Sequence, residues 1–163
     1  MKTVGLLSDT HHLWDEKLRR FFQDADEIWH AGDIGSLAIA DEIAAFKPLR
    51  AVYGNIDGAD VRRVYPAALR FTVEKVETLM THIGGYPGRY EPAVLQELLK
   101  SPPQLFISGH SHILKVMHDK KLNLLHMNPG AAGIYGFHTV RTALRFTIDN
   151  GAIAGLEVAE WKK

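Results

Sequence analysis

The sequence predicts an α/β (α+β) fold in which two β-sheets pack face to face and helices flank them, an αββα arrangement. In the first third of the chain, short apolar runs alternate with stretches of helical periodicity. This alternation indicates a parallel sheet with right-handed crossovers. The second half is mostly β, with short apolar runs and turn signals between them. We expect a single domain over residues 1–163.

The N-terminal region is predicted to form three strands separated by two helices. Residues 3–8, 27–31 and 49–53 are the strands, and Pro48 ends the second helix because proline cannot continue a helical hydrogen-bond ladder. Apolar residues recur at helical spacing between the strands. The residues expected to face inward are Leu13, Leu18, Phe21 and Phe22 in the first helix and Leu37, Ala40, Ile43, Ala44 and Phe46 in the second.

The rest of the chain is predicted to contain two hairpins and one further helix. Strands 69–73 and 76–81 are joined at Glu74-Lys75, and the signal Asp149-Asn150-Gly151 predicts a tight turn between the last two strands. The helix follows Pro92 and is expected to bury Val94, Leu95, Leu98 and Leu99. The remaining strands are predicted at residues 104–108, 113–118, 122–127, 140–148 and 152–158.

Composition excludes several functional classes. Basic and acidic residues balance at 19 each, and no stretch concentrates lysine and arginine, so stable nucleic-acid binding is not expected. The absence of cysteine excludes disulfides and thiolate metal ligands. The first apolar run is only about five residues long, too short for a signal sequence or a membrane span. We therefore expect a cytoplasmic protein without membrane contact.

Metal-ligating residue types follow five of the predicted strands. In open α/β sheets ligands bind beyond the carboxyl ends of the strands, where the connecting loops converge. The residues expected to meet there are Asp9, His11, Asp33, Asn55, His82, His110 and His112.

The local sequence around these residues also suits strand ends. A glycine precedes three of them, and glycine lets the backbone approach a ligand closely. Side chains two positions apart share a face only in extended backbone. We therefore expect the pairs Asp9/His11 and His110/His112 to lie on extended segments.

The donor set predicts two transition-metal ions. Imidazoles mixed with carboxylate and amide oxygens suit Mn, Fe, Zn, Ni or Co better than Mg or Ca. Seven ligands exceed one tetrahedral centre, whereas two ions that share a carboxylate would use them all. Each motif alone has a plainer interpretation, since Asp-x-His is common in caps and turns and Gly-Asn is ordinary turn chemistry. The metal interpretation depends on their joint occurrence at strand ends.

The succession SDTHH, AGDIG, GNID, MTH and SGHSH resembles the signature of the calcineurin-like metallophosphoesterases. More narrowly, it is similar to the small bacterial and archaeal phosphodiesterases of that superfamily. The resemblance extends from Asp9 to Gly133, through the segment MNPGAAG. It implies the calcineurin-like metallophosphoesterase fold, a two-sheet sandwich with a dinuclear site at the strand ends.

The resemblance also implies an activity, a ligand set and a cofactor. The activity would be that of a phosphoric ester hydrolase, most simply a phosphodiesterase in which a hydroxide bridging two divalent metals attacks a small phosphodiester. Manganese is the expected metal, with nickel, zinc, iron or cobalt as alternatives, and a homo-oligomer is compatible with the sequence. Asp33, Asn55 and His110 would be catalytic through the ions they hold. The first ion would be bound by Asp9, His11, Asp33 and His112, and the second by Asp33, Asn55, His82 and His110.

One departure from the family pattern concerns the residue after Gly54-Asn55. Many members carry histidine there, whereas this chain has Ile56, which cannot donate a proton. A general acid is worth roughly 10²–10⁴-fold where present, so substrates with good leaving groups should be preferred. Further residues could support the site or contact substrate, with ordinary structural or solvent-facing roles as the alternative. They are His30, Asp57, Asn128, Arg89, Arg141 and His138.

Two other functions remain open at this stage. A scaffold subunit of the eukaryotic retromer resembles this fold, so the chain could be a non-catalytic protein-binding module, although retention of all seven ligands argues against that. The second alternative is a phosphomonoesterase or nucleotide hydrolase.

Overall fold

The structure, a computed structural model that describes residues 1–163, contains two five-stranded sheets, a short two-stranded ribbon and four helices. The strands are β1 (Lys2–Leu7), β2 (Glu27–His30), β3 (Leu49–Ala51), β4 (Ala68–Val73), β5 (Val76–Thr81), β6 (Gly85–Tyr86), β7 (Arg89–Tyr90), β8 (Leu105–Ile107), β9 (Leu114–Asp119), β10 (Leu124–Pro129), β11 (Val140–Asp149) and β12 (Ala152–Lys162). The helices are α1 (Glu16–Phe21), α2 (Leu37–Phe46), α3 (Ala59–Val64) and α4 (Pro92–Lys100).

Each large sheet contains three adjacent parallel strands, which lie at one edge of the first sheet and at the centre of the second. The first sheet has the order β12–β11–β1–β2–β3, with β1, β2 and β3 parallel. The second has the order β4–β5–β8–β10–β9, with β5, β8 and β10 parallel between two antiparallel neighbours. Contacts of Asp9 with His82 and His112 show that loops following parallel strands of both sheets meet at one edge.

The main hydrophobic core lies between the two sheets. Leu6 and Trp29 of the first sheet pack in one buried cluster with Met80, Ile107 and Met127 of the second. Burial of such apolar side chains is the dominant favourable term in folding. The predicted face-to-face arrangement of two sheets is therefore confirmed.

Helices cover the outer faces. Leu18 of α1 and Ile43 of α2 pack against the first sheet, in a cluster with Leu7 and Ile28. On the second sheet, Leu98 of α4 packs in a cluster with Phe106, Leu79 and Leu124. This completes the αββα order that the alternation of apolar runs and amphipathic stretches predicted.

Most predicted elements are confirmed, and both hairpins are present. Two burial predictions are wrong, because Ala44 and Leu99 are exposed. Each follows a fully buried residue, Ile43 or Leu98, and a step of one residue turns a helix by about 100°, out of the apolar stripe. The prediction that Leu13 belongs to the first helix is also wrong, since that helix begins at Glu16.

Two elements were not predicted. Helix α3 is six residues long, has no side-chain cap and buries only Val61, so its sequence lacks both an apolar stripe and a start signal. The ribbon of β6 and β7 has two residues in each strand.

None of the helices has the length and the hydrophobicity that a bilayer crossing requires.

Candidate metal centre

The structure brings the seven predicted ligands together at the edge where the strand-end loops meet. Two groups of three have ligand atoms that all lie within 4.8 Å of one another. We call them the Asp9 group (Asp9, His11 and His112) and the Asp33 group (Asp33, His82 and His110). The seventh residue, Asn55, has its side-chain oxygen 3.0 Å from Nδ1 of His110.

The two groups adjoin each other. His11 Nε2 lies 3.5 Å from Asp33 Oδ2, and His82 Nε2 lies 3.9 Å from Asp9 Oδ1. Each of these contacts joins one group to the other. The arrangement is therefore one continuous cluster with a carboxylate in each half.

Five of the seven candidate ligands adopt a left-handed backbone conformation. Their φ angles are 54° at Asp9, 43° at His11, 56° at Asp33, 71° at His110 and 61° at His112. The prediction of extended backbone for the pairs Asp9/His11 and His110/His112 is therefore wrong. The strands end earlier, and the chain turns sharply there. Such a conformation costs a non-glycine residue about 1–3 kcal/mol and persists where the surroundings enforce it, which is characteristic of functional sites.

Close approach of the backbone is confirmed at Gly54. A Cβ atom on this residue would lie 2.0 Å from Oδ1 of Asp33. No larger residue fits between the loop that carries Asn55 and the carboxylate of Asp33. Glycine thus sets the separation of two candidate ligands from neighbouring strands.

Asp9 is fully buried and surrounded by hydrogen-bond donors. Its Oδ2 accepts hydrogen bonds from the Ser8 hydroxyl at 2.6 Å and from the His110 backbone N–H at 3.1 Å. Burial by itself raises the pKa of Asp9, but the imidazoles of His11 and His112 hold the pKa well below its usual range. The carboxylate is therefore charged in the interior.

His82 is oriented as a metal ligand would be. Its Nδ1 lies 2.7 Å from the carbonyl oxygen of Ala31, so Nδ1 donates and Nε2 carries the lone pair. Nε2 lies 3.2 Å from Asp33 Oδ2. A lone pair this close to a carboxylate oxygen is favourable only with a proton or a cation bound nearby. Burial lowers the pKa of His82, but Asp33 and Asp9 outweigh burial and raise it.

A second candidate ligand, His112, is oriented by its neighbour His138. Nε2 of His138 lies 2.8 Å from the Gly133 carbonyl oxygen and must donate to it. Nδ1 of His138 is then an acceptor for Nδ1–H of His112 at 3.2 Å. Nε2 of His112 is left with its lone pair, 3.1 Å from Asp9 Oδ1. The chain of hydrogen bonds selects the tautomer of His112 that can bind a cation.

The donor set fits divalent metal ions. The buried Nε2 atoms of His11 and His82 have no hydrogen-bond partner, and buried polar atoms rarely remain unpaired. Each lies near a carboxylate oxygen of the cluster, at 3.7 Å for His11 and 3.2 Å for His82. A cation in each group would satisfy the imidazoles and the carboxylates together.

Asp57 joins the loops that carry Asp33 and Asn55. Its carboxylate accepts hydrogen bonds from the backbone N–H groups of Ile34, Gly35 and Gly54 at 3.2, 2.9 and 2.8 Å. In addition, Asp33 Oδ1 accepts the N–H of Ile56. Asp57 therefore has a positioning role.

His30 and Asn128 also lie behind the cluster. His30 accepts the Gly32 N–H at Nδ1 and contacts the Thr10 hydroxyl through Nε2, and burial lowers its pKa to about 4. The Asn128 amide donates to the Gly109 carbonyl oxygen, which fixes the turn before His110. Both hold the loops rather than the candidate ligands themselves.

Two predicted substrate contacts are not brought to the site. Arg141 is buried and bonds the Asp15 carboxylate and the Ala132 carbonyl oxygen, so its guanidinium is not free to bind phosphate. Arg89 is exposed in the β6–β7 ribbon and lines a separate depression beside Leu99. Of the two roles that the sequence left open for these arginines, substrate contact is therefore wrong, and Arg141 has a structural role while Arg89 faces solvent.

Sequence reasoning missed two residues of the site. Ser8 donates to Asp9, and its position between strand β1 and Asp9 was the available signal. Tyr135 stacks on the imidazole of His11 with ring centroids 5.2 Å apart. No local sequence pattern relates Tyr135 to His11, because Tyr135 lies in the β10–β11 loop, far from His11 in the chain.

Comparison with known proteins identifies the same family that the sequence motifs resemble. The model of the calcineurin-like phosphoesterase superfamily domain matches residues 1–151. A protein of Methanothermobacter thermautotrophicus named "Probable metallophosphoesterase" is 30% identical over 139 residues, with 78% of this chain and 76% of the relative covered.

Two solved structures share the fold. An archaeal phosphodiesterase has a TM-score of 0.73 at 20% identity, with 96% of this chain and 99% of that chain covered. Vps29 of Chaetomium thermophilum has a TM-score of 0.76 at 16% identity, with both chains covered completely. At these identities the structures establish the fold alone. With the family match over most of its length, this chain belongs to the calcineurin-like phosphoesterase superfamily.

Proposed function

We propose that the protein is a metal-dependent phosphodiesterase that hydrolyses small phosphodiesters. The observation that carries the proposal is the cluster of seven donors from five loops, with two buried imidazole nitrogens that have no other partner. Membership of a metallophosphoesterase family supports the same activity. Manganese as the native metal and a cytoplasmic location stay predictions.

The seven candidate ligands would bind two ions. Asp9, His11, Asp33 and His112 would hold one divalent ion, and Asp33, Asn55, His82 and His110 would hold the other. When bound, such ions lower the pKa of water and neutralise charge on a phosphoryl group. Asp9 and Asp33 do not cancel the charge of two divalent ions, so the centre would attract a phosphate although the whole chain is neutral.

The leaving group receives little help from the protein. Ile56 occupies the position after Asn55 and has no proton to give. The one other imidazole that lines the cleft is that of His138, and its two nitrogens contact Gly133 and His112. We therefore propose diesters with good leaving groups as the preferred substrates.

The test is a metal-reconstitution assay. The protein is stripped of metal, reloaded with Mn²⁺, Ni²⁺ or Zn²⁺, and assayed with nitrophenyl mono- and diesters. Asp33→Asn and His110→Ala should abolish metal-dependent turnover, whereas the exposed control changes Asp24→Asn and His118→Ala should not. Unchanged activity in Asp33→Asn would remove the proposal.

A second candidate function is a protein-binding scaffold. The observation in its favour is a set of exposed apolar side chains beside the cluster, at Ile134, Tyr135 and Phe137. A correctly folded protein that binds metal but hydrolyses no phosphoester with any of the three ions would favour it.

A further inference from the structure

Five of the seven candidate metal ligands, all except Asp9 and His82, line a cleft of about 530 Å³. Four apolar side chains line it, Ile56, Ile113, Tyr135 and Phe137. They come from three different loops, which follow β3, β8 and β10. The volume is that of a site for a small molecule.

All four of these side chains are exposed to solvent. Phe137 is 105% exposed, Tyr135 70%, Ile113 61% and Ile56 43%. Single exposed apolar residues are ordinary, but a contiguous set around a site marks a surface that binds something. Here the set surrounds the candidate ligands, so its occupant must lie next to them.

The aromatic wall has a fixed position relative to the Asp9 group. The Tyr135 ring stacks on His11 at an interplanar angle of 30°. Gly136 has φ +129°, and a Cβ there would lie 2.4 Å from Nδ1 of His112. The loop is thus packed directly on two of the candidate ligands. Phe137 follows Gly136 and projects into solvent at the rim.

The basic side chains that line the cleft are all histidines. No lysine or arginine lines it. Arg62 lines a neighbouring depression and donates to the Asp57 carbonyl oxygen, and Lys115 lines another and lies over the Tyr86 ring. Lys163 donates to the carbonyl oxygens of Gly136 and His138 in the cleft wall but is not itself among the lining residues. Among the groups that line the cleft, only the ions could fully balance phosphate charge, and a second phosphate group on the substrate would find no lysine or arginine there.

From these features we infer the substrate class: a molecule with a single phosphodiester and an aromatic or flat apolar ester group that packs on Tyr135 and Phe137. The inference rests on the proposed phosphodiesterase function. It makes Tyr135 and Phe137 specificity-determining residues, with Ile56 and Ile113 completing the apolar surface.

The test measures binding rather than turnover. Manganese-loaded protein is titrated calorimetrically with phenylphosphonate and with methylphosphonate, which share the metal-binding group and differ in the ring. Phenylphosphonate should bind about tenfold more tightly, because ring burial and stacking add to the shared contacts. In the double variant Tyr135→Ala/Phe137→Ala this preference should fall to about onefold, with methylphosphonate affinity unchanged.

The controls separate the ring from other causes. Comparing the ratio of the two affinities between variant and parent cancels the difference in acidity of the two phosphonates. Tyr86→Ala removes an exposed aromatic side chain that does not line the cleft, and it should keep the preference. Both cleft residues are exposed, so thermal unfolding should be unchanged in the double variant.

Several results would overturn the inference. They are equal affinity for the two phosphonates in the parent protein, a preference that survives in the double variant, and no phosphonate binding at all. Tighter binding of 1,4-phenylenediphosphonate beyond the statistical factor would overturn the single-phosphate part. If only the proposed function failed, the ring preference would be present but nitrophenyl diesters would not be hydrolysed.

Discussion

The Asp9 group and the Asp33 group adjoin each other but are held in place by different means. Asp9 is fully buried, and the Ser8 hydroxyl and the His112–His138 pair fix its surroundings directly. In the Asp33 group, His110 is exposed, and so is its contact Asn55. Asp33 and His82 are buried, so each group combines buried with more exposed ligands, and the two groups differ in the contacts that hold them.

This difference indicates which residues each group depends on for its geometry. The Asp9 group depends on atoms in contact with it. The Asp33 group depends on the alignment of two loops, which Asp57 joins through three backbone N–H groups. A change at Asp57 should disturb the second group more than the first, whereas a change at His138 should do the reverse.

The largest effect is expected from a change at Asp33, which contacts both groups. Asp33 lies within 3.5 Å of His11 and of His82, so its carboxylate contacts both groups. Asp33→Asn removes that charge with little change of shape. Because metal catalysis is worth several kcal/mol, we expect a loss of at least about 10³-fold in kcat/KM for a nitrophenyl diester. Metal analysis of the dialysed protein should show weakened binding at both positions, whereas full retention of two ions would contradict a shared ligand.

A smaller effect is expected from Asp57→Ala, which tests the Asp33 group. Groups that orient metal ligands typically contribute about 10–100-fold in affinity or activity, and we expect a loss in that range. One ion should be lost before the other when the protein is titrated with a chelator. Asp60→Ala, an exposed carboxylate at the start of α3, is the matched control and should behave as the parent. Equal weakening of both ions would show that the two groups are not held independently.

The complementary change is His138→Phe, which removes the acceptor for His112 while keeping a ring. We expect about a tenfold weaker ion in the Asp9 group, toward the lower end of the range for such orienting groups. His138→Gln keeps a hydrogen-bonding side chain and should restore part of the affinity. The measurement is the optical spectrum of the Co²⁺-loaded protein, in which one of the two sites should change. A spectrum unaltered by His138→Phe would exclude the orienting role.

The sequence predicted the two sheets and the convergence of seven residues because both follow from local patterns. Apolar alternation identifies strands, and parallel strands bring their carboxyl ends to one edge. It did not predict the left-handed backbone at Asp9 and His110, since nothing in the two motifs requires it. Nor could it decide whether Arg141 contacts substrate or has a structural role. That arginine bonds Asp15, which is 126 positions away, and only tertiary packing decides such a pair.

The Asp15–Arg141 pair allows the smallest of these effects to be measured. Arg141 donates to the Ala132 carbonyl oxygen, and this loop returns hydrogen bonds from Ala132 and Gly133 to Ser8 and Asp9. The pair therefore supports the Asp9 group from behind. Asp15→Asn should lower the free energy of unfolding by about 1–3 kcal/mol at neutral pH, between the values for exposed and buried ion pairs.

The pH dependence of this loss fixes its cause. Burial raises the pKa of Asp15, but hydrogen bonding to Arg141 and to the Leu18 N–H outweighs burial and lowers it below the ordinary 3.8. A carboxyl with a lowered folded-state pKa stabilises the fold above the unfolded-state value and loses that contribution as pH falls through the folded-state value. The stability difference between parent and Asp15→Asn should thus be constant from neutral pH down to about pH 5 and shrink below about pH 4. Urea unfolding of the metal-free proteins across this range measures it. A difference that stays constant below pH 4 would assign the loss to packing instead of charge, and the Asp9 group would then depend on Arg141 through its shape alone.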